Sequence, residues 1–81
     1  MEDQKTQKIY TLDERGKYCP VPVMRVADMI SEIEIGAVIK LISDDSGVLA
    51  DMKAWCEANS HKIIGYNTQD EIITIYIQKL H

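Results

Sequence analysis

The sequence lacks any run of about 18 apolar residues, the length that a membrane-spanning helix needs. Residues 1–7 are polar, so we expect a flexible leader there rather than a signal peptide, and a cytoplasmic protein. Pro and Gly are few, at two and four residues, which confines any expected disorder to the chain ends. A formal net charge of −4 argues against a general nucleic-acid binder, since such a protein carries a basic face.

Cysteine is also scarce. Cys19 and Cys56 are the two in 81 residues, and a reducing compartment favours free thiols over one disulfide. The length predicts a single domain, residues 8–81, with a small two-layer core and no space for a deep substrate cavity plus a cofactor fold. A zinc site from Cys19, Cys56 and His61 would lack a fourth ligand and the usual paired spacing. We therefore expect neither a cofactor nor a metal.

Hydrophobic periodicity predicts six elements in the order β-α-β-α-β-β. A strand at about residues 8–13 precedes an amphipathic helix that starts near Val21, keeps helical spacing to Ile33 and stops at Gly36. Residues 37–43 predict a strand buried on much of both faces, and side chains of residues 44–47 are expected to cap a second helix. A strand at 62–67, a turn at 67–70 and a strand at 72–77 complete the chain. The predicted fold class is α+β, a two-layer α/β sandwich with two helices on one face of a four-stranded mixed sheet.

The candidate reactive group is Cys19, which follows the turn residue Gly16, directly precedes Pro20 and lies three residues before Pro22. Because proline is favoured in the first turn of a helix, this cysteine is predicted to lie at the N-terminus of the first helix. There the helix dipole and unpaired backbone N–H groups would stabilise a thiolate over a thiol. The two prolines would also keep the segment rigid, so that little entropy is lost when a partner docks.

Cationic side chains flank this cysteine. Arg15 and Lys17 precede it and Arg25 follows it, which makes these three the candidate partner-docking charges. Arg15 and Lys17 are expected to make the N-terminus of the first helix electropositive, a setting in which thiol pKa values fall to roughly 3.5–7.5. A free cysteine is often only a small buried hydrophobe, but packing alone requires neither the prolines nor the cations. The pattern therefore favours a nucleophilic Cys19.

The other candidate groups favour structural roles. Cys56 shares a helical stripe with apolar residues, so core packing is favoured over a resolving thiol. His61 follows the second helix and is interpreted as a solvated capping residue, with a hydrogen-bonding partner or a proton carrier as alternatives. The carboxylates of Asp44, Asp45 and Asp51 lie near the start of that helix, where acidic residues are expected for capping alone.

Several of these residues together carry a family resemblance. They are Leu12-Asp-x-Arg-Gly-x-x-Cys-Pro-x-Pro22, Gly36, Asp44-Asp45-Ser46-Gly47, Asp51, Trp55-Cys56 and His61. In this order, and over almost the whole chain, the sequence resembles the TusA (SirA-like) family of small sulfur-carrier proteins. The resemblance implies a compact two-layer α/β sandwich. It also implies that Cys19 accepts a sulfane sulfur as a persulfide and passes it to an acceptor protein, as a carrier rather than a classical enzyme.

The resemblance implies a cysteine desulfurase or a rhodanese-like protein as the sulfur donor, and no direct contact with nucleic acid is expected. The relays that such carriers serve are tRNA thiolation, molybdenum-cofactor assembly, sulfur oxidation and selenium metabolism. Two positions depart from the family pattern: Lys17 stands where the best-studied carriers have leucine, and Ser60 replaces the usual glycine before His61. Two other functions stay open, a thiol redox enzyme that uses Cys19 and Cys56, and a non-catalytic regulatory binding module.

Overall fold

The computed structural model describes residues 8–18 and 20–81, and the predicted leader at residues 1–7 lies outside this range. The elements are β1 (Ile9–Asp13), α1 (Val21–Ile30), β2 (Val38–Ser43), α2 (Val48–Asn59), β3 (Lys62–Gln69) and β4 (Ile72–Gln78). No helix among the described residues is long and apolar enough to cross a membrane.

The four strands form one mixed sheet in the order β1-β2-β4-β3. β1 pairs with β2 in parallel, whereas β2–β4 and β4–β3 are antiparallel. Both helices cover the same face, which confirms the predicted α+β sandwich. Because β1 and β2 are parallel, their C-terminal ends lie at the same edge of the sheet, and the loops leading into α1 and α2 both start there.

The core lies between the helices and the covered face of the sheet. Its buried members come from both helices, from strands β1, β2 and β4 and from the connection between α1 and β2: Leu12, Val26, Ile30, Ile33, Ala37, Ile39, Leu41, Val48, Met52, Cys56, Ile73, Ile75 and Ile77. On the central strand β2, Ile39 and Leu41 are fully buried on the helix-covered face. On the other face Val38 is also buried, and Lys40 and Ile42 are partly buried. This agrees with the prediction of a strand that is buried on much of both faces.

Helix α1 ends earlier than its apolar spacing predicted. Its C-cap is Ser31, whose hydroxyl donates a hydrogen bond of 2.7 Å to the Asp28 carbonyl and so competes with further helical bonding. Ile33 is buried although it lies beyond the helix, and its burial extends the apolar spacing of α1 past the end of the helix. Gly36 does not end α1. It adopts φ +93 in the turn before β2, where its N–H donates to the Lys79 carbonyl.

Strand β3 of the β3–β4 hairpin runs two residues further than predicted. β3 extends to Gln69, and the two connecting residues Asp70 and Glu71 both have positive φ, 53 and 67. Two consecutive residues with positive φ define the tight turn whose twist suits a hairpin, so the connection needs only two residues. The polar run from Asn67 belongs to an exposed edge strand, where polar side chains are compatible with strand pairing.

Helix α2 begins and ends through backbone groups. Its N-cap is Gly47, which has no side chain to cap the helix. The Gly47 N–H contacts Asp45 Oδ1 at 3.5 Å, and the Val48 N–H donates to the Asp45 carbonyl at 3.1 Å. The predicted capping of α2 by side chains of residues 44–47 was therefore wrong, because a glycine occupies the N-cap position. At the other end Ser60 adopts the left-handed conformation at φ 61, and the His61 N–H donates to the Cys56 carbonyl at 3.0 Å. A glycine would adopt this conformation without strain.

We expect Ser60→Gly to raise the free energy of unfolding by about 0.5–1 kcal/mol, because the left-handed conformation strains any side chain with a Cβ atom. Ser31→Gly is the matched control at the end of α1. Ser31 has an ordinary φ of −73 and donates to Asp28, so glycine there should lower stability by a similar amount, about 0.5–1 kcal/mol. Urea denaturation of both variants measures the difference. Loss of stability in Ser60→Gly would contradict the argument.

Candidate functional site

The candidate site is the loop between β1 and α1, here called the β1–α1 loop and defined as residues 14–20. Gly16 turns the loop with φ +83, a conformation that favours glycine. Its N–H donates a hydrogen bond of 3.0 Å to Asp44 Oδ1, which lies 28 residues away in the loop before α2. The two loops at this sheet edge are therefore tied to each other, and Asp44 has a loop-fixing role rather than a helix-capping one.

The prolines of the motif sit at the start of α1 as the sequence predicts. Pro20 is the exposed N-cap residue and Pro22 lies buried in the first turn. The Val21 N–H donates to the Tyr18 carbonyl at 2.8 Å, and Pro22 has no N–H. Of the first three helical residues only Val23 can therefore have an N–H left for an anion. The expected row of unpaired donors at this helix end is much reduced.

Cys19 itself lies outside the described residues. Its sequence neighbours Tyr18 and Pro20 are both exposed, at the end of the loop and at the N-cap of α1. The predicted role of Cys19 as the reactive thiol stays a prediction.

Arg15 forms an ion pair with Asp13, two residues earlier at the end of β1. Its Nε and Nη2 atoms contact the two carboxylate oxygens at 2.9 and 2.6 Å, and its backbone N–H donates to the same side chain at 3.1 Å. The hydrogen bonds from Arg15 lower the pKa of Asp13 to about 2, so the carboxylate and the guanidinium of this pair are both charged at neutral pH. Arg15 therefore stiffens the loop and adds no net charge to it.

Glu14 is the feature of this loop that sequence reasoning missed. Its side chain is 2 % exposed, although the residue lies between an exposed aspartate and an exposed arginine. Oε1 lies 3.5 Å from Lys17 Nζ, and Oε2 lies 3.5 Å from Arg25 Nε. Glutamate is almost never buried unless it is paired, and nothing in a run of alternating charges marks which member turns inward. The signal that could have found it is the alternation of side chains along a strand. Glu14 lies two residues after Leu12, which faces the core, so its side chain falls on the same face.

These pairings change the electrostatics expected at the site. Arg15 is neutralised by Asp13, and Lys17 and Arg25 share the carboxylate of Glu14. Both Glu14-bound cations remain about half exposed, with 51 % and 57 % of their side chains accessible. The cations near the N-terminus of α1 are therefore held in ion pairs, and the surface there is less electropositive than the sequence predicted.

Exposed apolar side chains surround the same loop. Tyr18 is 77 % exposed, Met24 58 % and Val21 38 %, all within the loop or the first turn of α1. Single exposed apolar residues are common, but three within seven positions concentrate apolar surface in one stretch of the chain, here called the apolar patch, and such a concentration is typical of interaction surfaces. The patch borders the two Glu14-bound cations in sequence.

Cys56 is part of the core, on the buried stripe of α2 with Val48 and Met52. It is 3 % exposed, and burial raises the pKa of its thiol to about 11. A neutral thiol at neutral pH is a poor nucleophile. The described environment of Cys56 thus agrees with its predicted packing role.

His61 lies at the opposite end of the sheet from the β1–α1 loop. Its ring stacks between Trp55 and His81, at centroid distances of 5.6 and 4.6 Å. Its Nδ1 accepts a hydrogen bond from the Leu80 N–H at 3.2 Å. Desolvation, with His81 and Lys79 nearby, lowers the pKa of His61. His61 is therefore a structural residue that joins the end of α2 to the end of β4, and it is not placed to carry protons at the loop.

The carboxylates near α2 do not gather into a ligand set. Asp44 binds the Gly16 N–H, Asp45 contacts the Gly47 N–H, and Asp51 is exposed in the first turn of the helix. Within residues 8–18 and 20–81, no group of three or more His, Cys, Asp or Glu side chains could hold a metal ion.

Fold and loop together define a small two-layer α+β protein in which Pro20 and Pro22 of the motif start α1 at one sheet edge. Comparison with known proteins gives the family. The family model described as sulfurtransferase TusA matches residues 10–79. The chain belongs to the TusA family.

Individual relatives agree with this assignment. The chain is 36 % identical over 70 residues to the sulfur carrier protein TusA of Buchnera aphidicola, a match that covers 86 % of this chain and 89 % of that one. It is 29 % identical over 75 residues to the putative sulfur carrier protein YrkI of Bacillus subtilis, covering 93 % and 97 %. A crystal structure of the SirA-like protein from Desulfitobacterium hafniense superposes with a TM-score of 0.78 at 25 % identity, covering 90 % of this chain and 99 % of that one.

Proposed function

We propose that the protein is a sulfur carrier that accepts a sulfane sulfur as a persulfide on Cys19 and relays it to an acceptor protein. The observation that carries the proposal is the family match over residues 10–79, which spans the complete Cys-Pro-x-Pro segment. A cysteine desulfurase or a rhodanese-like protein is the proposed donor. The acceptor belongs to tRNA thiolation, cofactor assembly, sulfur oxidation or selenium metabolism, and the relay operates in the cytoplasm.

The proposed transfer conserves both atoms and electrons. The Cys19 thiolate attacks the terminal sulfur of the donor persulfide, the sulfur–sulfur bond of the donor breaks, and the donor thiolate leaves with that electron pair. Cys19 then carries the persulfide. An acceptor thiolate repeats the attack on the terminal sulfur and releases the Cys19 thiolate, so no oxidant or reductant is consumed.

The surroundings of the loop support a function that requires contact with partner proteins. Tyr18, Val21 and Met24 expose apolar surface beside the motif, and Lys17 and Arg25 border that patch with exposed charge. An apolar centre with a charged rim is the usual composition of a protein–protein contact. Lys17, in place of the leucine of well-studied carriers, is the residue proposed to adjust partner choice.

The alternative of a thiol redox enzyme is less well supported. It requires Cys56 to attack or be attacked, but that thiol is buried and its pKa is raised to about 11. Thiol–disulfide exchange needs a thiolate and access to it. A single reactive cysteine that works with a partner fits the described residues better.

Loading of sulfur tests the proposal directly. Purified protein is incubated with a cysteine desulfurase and cysteine and then weighed intact by mass spectrometry under non-reducing conditions. We expect the chain to gain the mass of one sulfur atom, Cys19→Ala to gain none, and the matched control Cys56→Ala to load as well as the unaltered chain. Circular dichroism shows that each variant is folded. Equal loading of Cys19→Ala, or no loading of the unaltered chain, would overturn the proposal.

A further inference from the structure

The carboxylate of Glu14 holds two cations that come from different elements. Oε1 contacts Lys17 Nζ in the β1–α1 loop, and Oε2 contacts Arg25 Nε in the second turn of α1, each at 3.5 Å. In sequence these cations stand on either side of the Cys-Pro-x-Pro segment. One side chain therefore links the residues before the motif to those after it.

The backbone of Glu14 is fixed to the sheet. Its N–H donates to the Ile42 carbonyl at 2.8 Å, which continues the β1–β2 ladder by one residue. Its carbonyl accepts a hydrogen bond of 3.2 Å from the Lys17 N–H, which closes the turn of the loop. The backbone of Glu14 is thus a fixed point, and the more exposed side chains of Lys17 and Arg25 contact its carboxylate.

The burial of Glu14 makes these contacts costly to lose. A buried carboxylate needs charge partners, because an ion left buried and unpaired is strongly destabilising. Oε1 is buried without a hydrogen-bond partner, so the charge of the carboxylate is balanced by the ion pairs with Lys17 and Arg25, each at 3.5 Å. Displacement of either cation would leave the buried carboxylate of Glu14 without one of its two charge partners.

We propose that Glu14 is a positioning residue for partner recognition, which holds Lys17 and Arg25 at fixed places beside the Cys-Pro-x-Pro segment so that they meet carboxylates on the partner. The inference rests on the proposed sulfur-carrier function. Both cations are about half exposed while paired, and a guanidinium has five N–H donors, so an Arg25 held at Nε keeps donors for a partner. The partner surface that fits is acidic, with an apolar centre for Tyr18 and Met24.

Glu14→Gln removes the charge and keeps the shape. With both cations released, we expect the KM of a donor cysteine desulfurase for this chain as its sulfur-accepting substrate to rise about tenfold at low salt, with the kcat of the desulfurase changed less than twofold, because recognition is weakened and the sulfur chemistry is not touched. Glu57→Gln is the matched control. Glu57 is an exposed carboxylate on α2, and its loss should leave both constants unchanged.

A mutant cycle separates positioning from a general loss of structure. If Glu14 acts through the two cations, Glu14→Gln adds no further rise in KM in a Lys17→Met/Arg25→Met background. Thermal denaturation of each variant verifies folding. Should Glu14→Gln not fold, Glu14→Asp replaces it: the charge is kept, the shorter side chain draws the carboxylate away from both cations, and a raised KM is again expected.

The outcomes distinguish this inference from the proposed function. If the unaltered chain is not loaded with sulfur, the carrier function itself is wrong. If the unaltered chain loads and Glu14→Gln loads with the same KM, the carrier function stands and the role of Glu14 is refuted. An equal rise in KM in the Lys17→Met/Arg25→Met background likewise refutes it.

Discussion

The thiol of Cys56 is expected to react with iodoacetamide at pH 8 about 100-fold more slowly than an ordinary cysteine. Burial raises its pKa from 9.0 to about 11, so the thiolate fraction at this pH falls by about two orders of magnitude. Access is also restricted, because only 3 % of the residue is exposed. Cys19→Ala is the variant for the measurement, since Cys56 is then the single thiol and mass spectrometry follows its alkylation against time.

Unfolding in guanidinium is the control for this prediction. The unfolded Cys19→Ala chain should alkylate at the rate of a free cysteine, which shows that the thiol is intact and merely protected. In the folded chain the rate should climb with pH until about 11 rather than levelling near 9. Rapid alkylation of folded Cys19→Ala at pH 8 would contradict a buried Cys56 and would strengthen the redox alternative.

The same raised pKa has a consequence for stability. The folded chain keeps the Cys56 proton more tightly than the unfolded chain does, so unfolding is favoured by rising pH. Stability linked to Cys56 is complete below pH 9 and declines between pH 9 and about 11.

Alanine at Met52 is expected to lower the free energy of unfolding by about 2–5 kcal/mol. Met52 is fully buried on α2, in the same core as Leu41 and Ile75, and truncation removes apolar contacts and leaves a cavity. A domain of this length has a total stability of about 4–12 kcal/mol, so the loss is a large share of it. Urea denaturation should give a much lower midpoint with an unchanged m-value.

Met24→Ala is the matched control, with the same chemical change at a position that is 58 % exposed on α1. Its stability should change by no more than about 0.5 kcal/mol. Since Met24 also lies in the exposed apolar patch of the proposed docking surface, this variant is a stable reagent for binding measurements. Equal effects of the two substitutions would mean that Met52 does not have the core position described.

Element type was easier to predict than element boundaries. The apolar spacing through Ile33 reflects burial rather than helix, because Ile33 reaches the core from the segment after Ser31. The polar residues near Asn67 are typical of turns, yet they belong to an edge strand that turns only at Asp70. In both cases a local pattern had two structural explanations, and packing against distant residues selected between them.

The sequence by itself determined the order of strands and helices, the two-layer fold, the family and the Cys-Pro-x-Pro segment on which the proposed function depends. The element order and the fold follow from hydrophobic periodicity, and the family follows from the resemblance that the motif residues carry. Both are properties of the sequence alone. Only the tertiary structure decided how the charges around that segment are used. It joined Gly16 to Asp44 across 28 residues and turned Glu14 inward to hold Lys17 and Arg25. Such contacts depend on which segments the fold brings together, so a run of charged residues read along the chain does not reveal them.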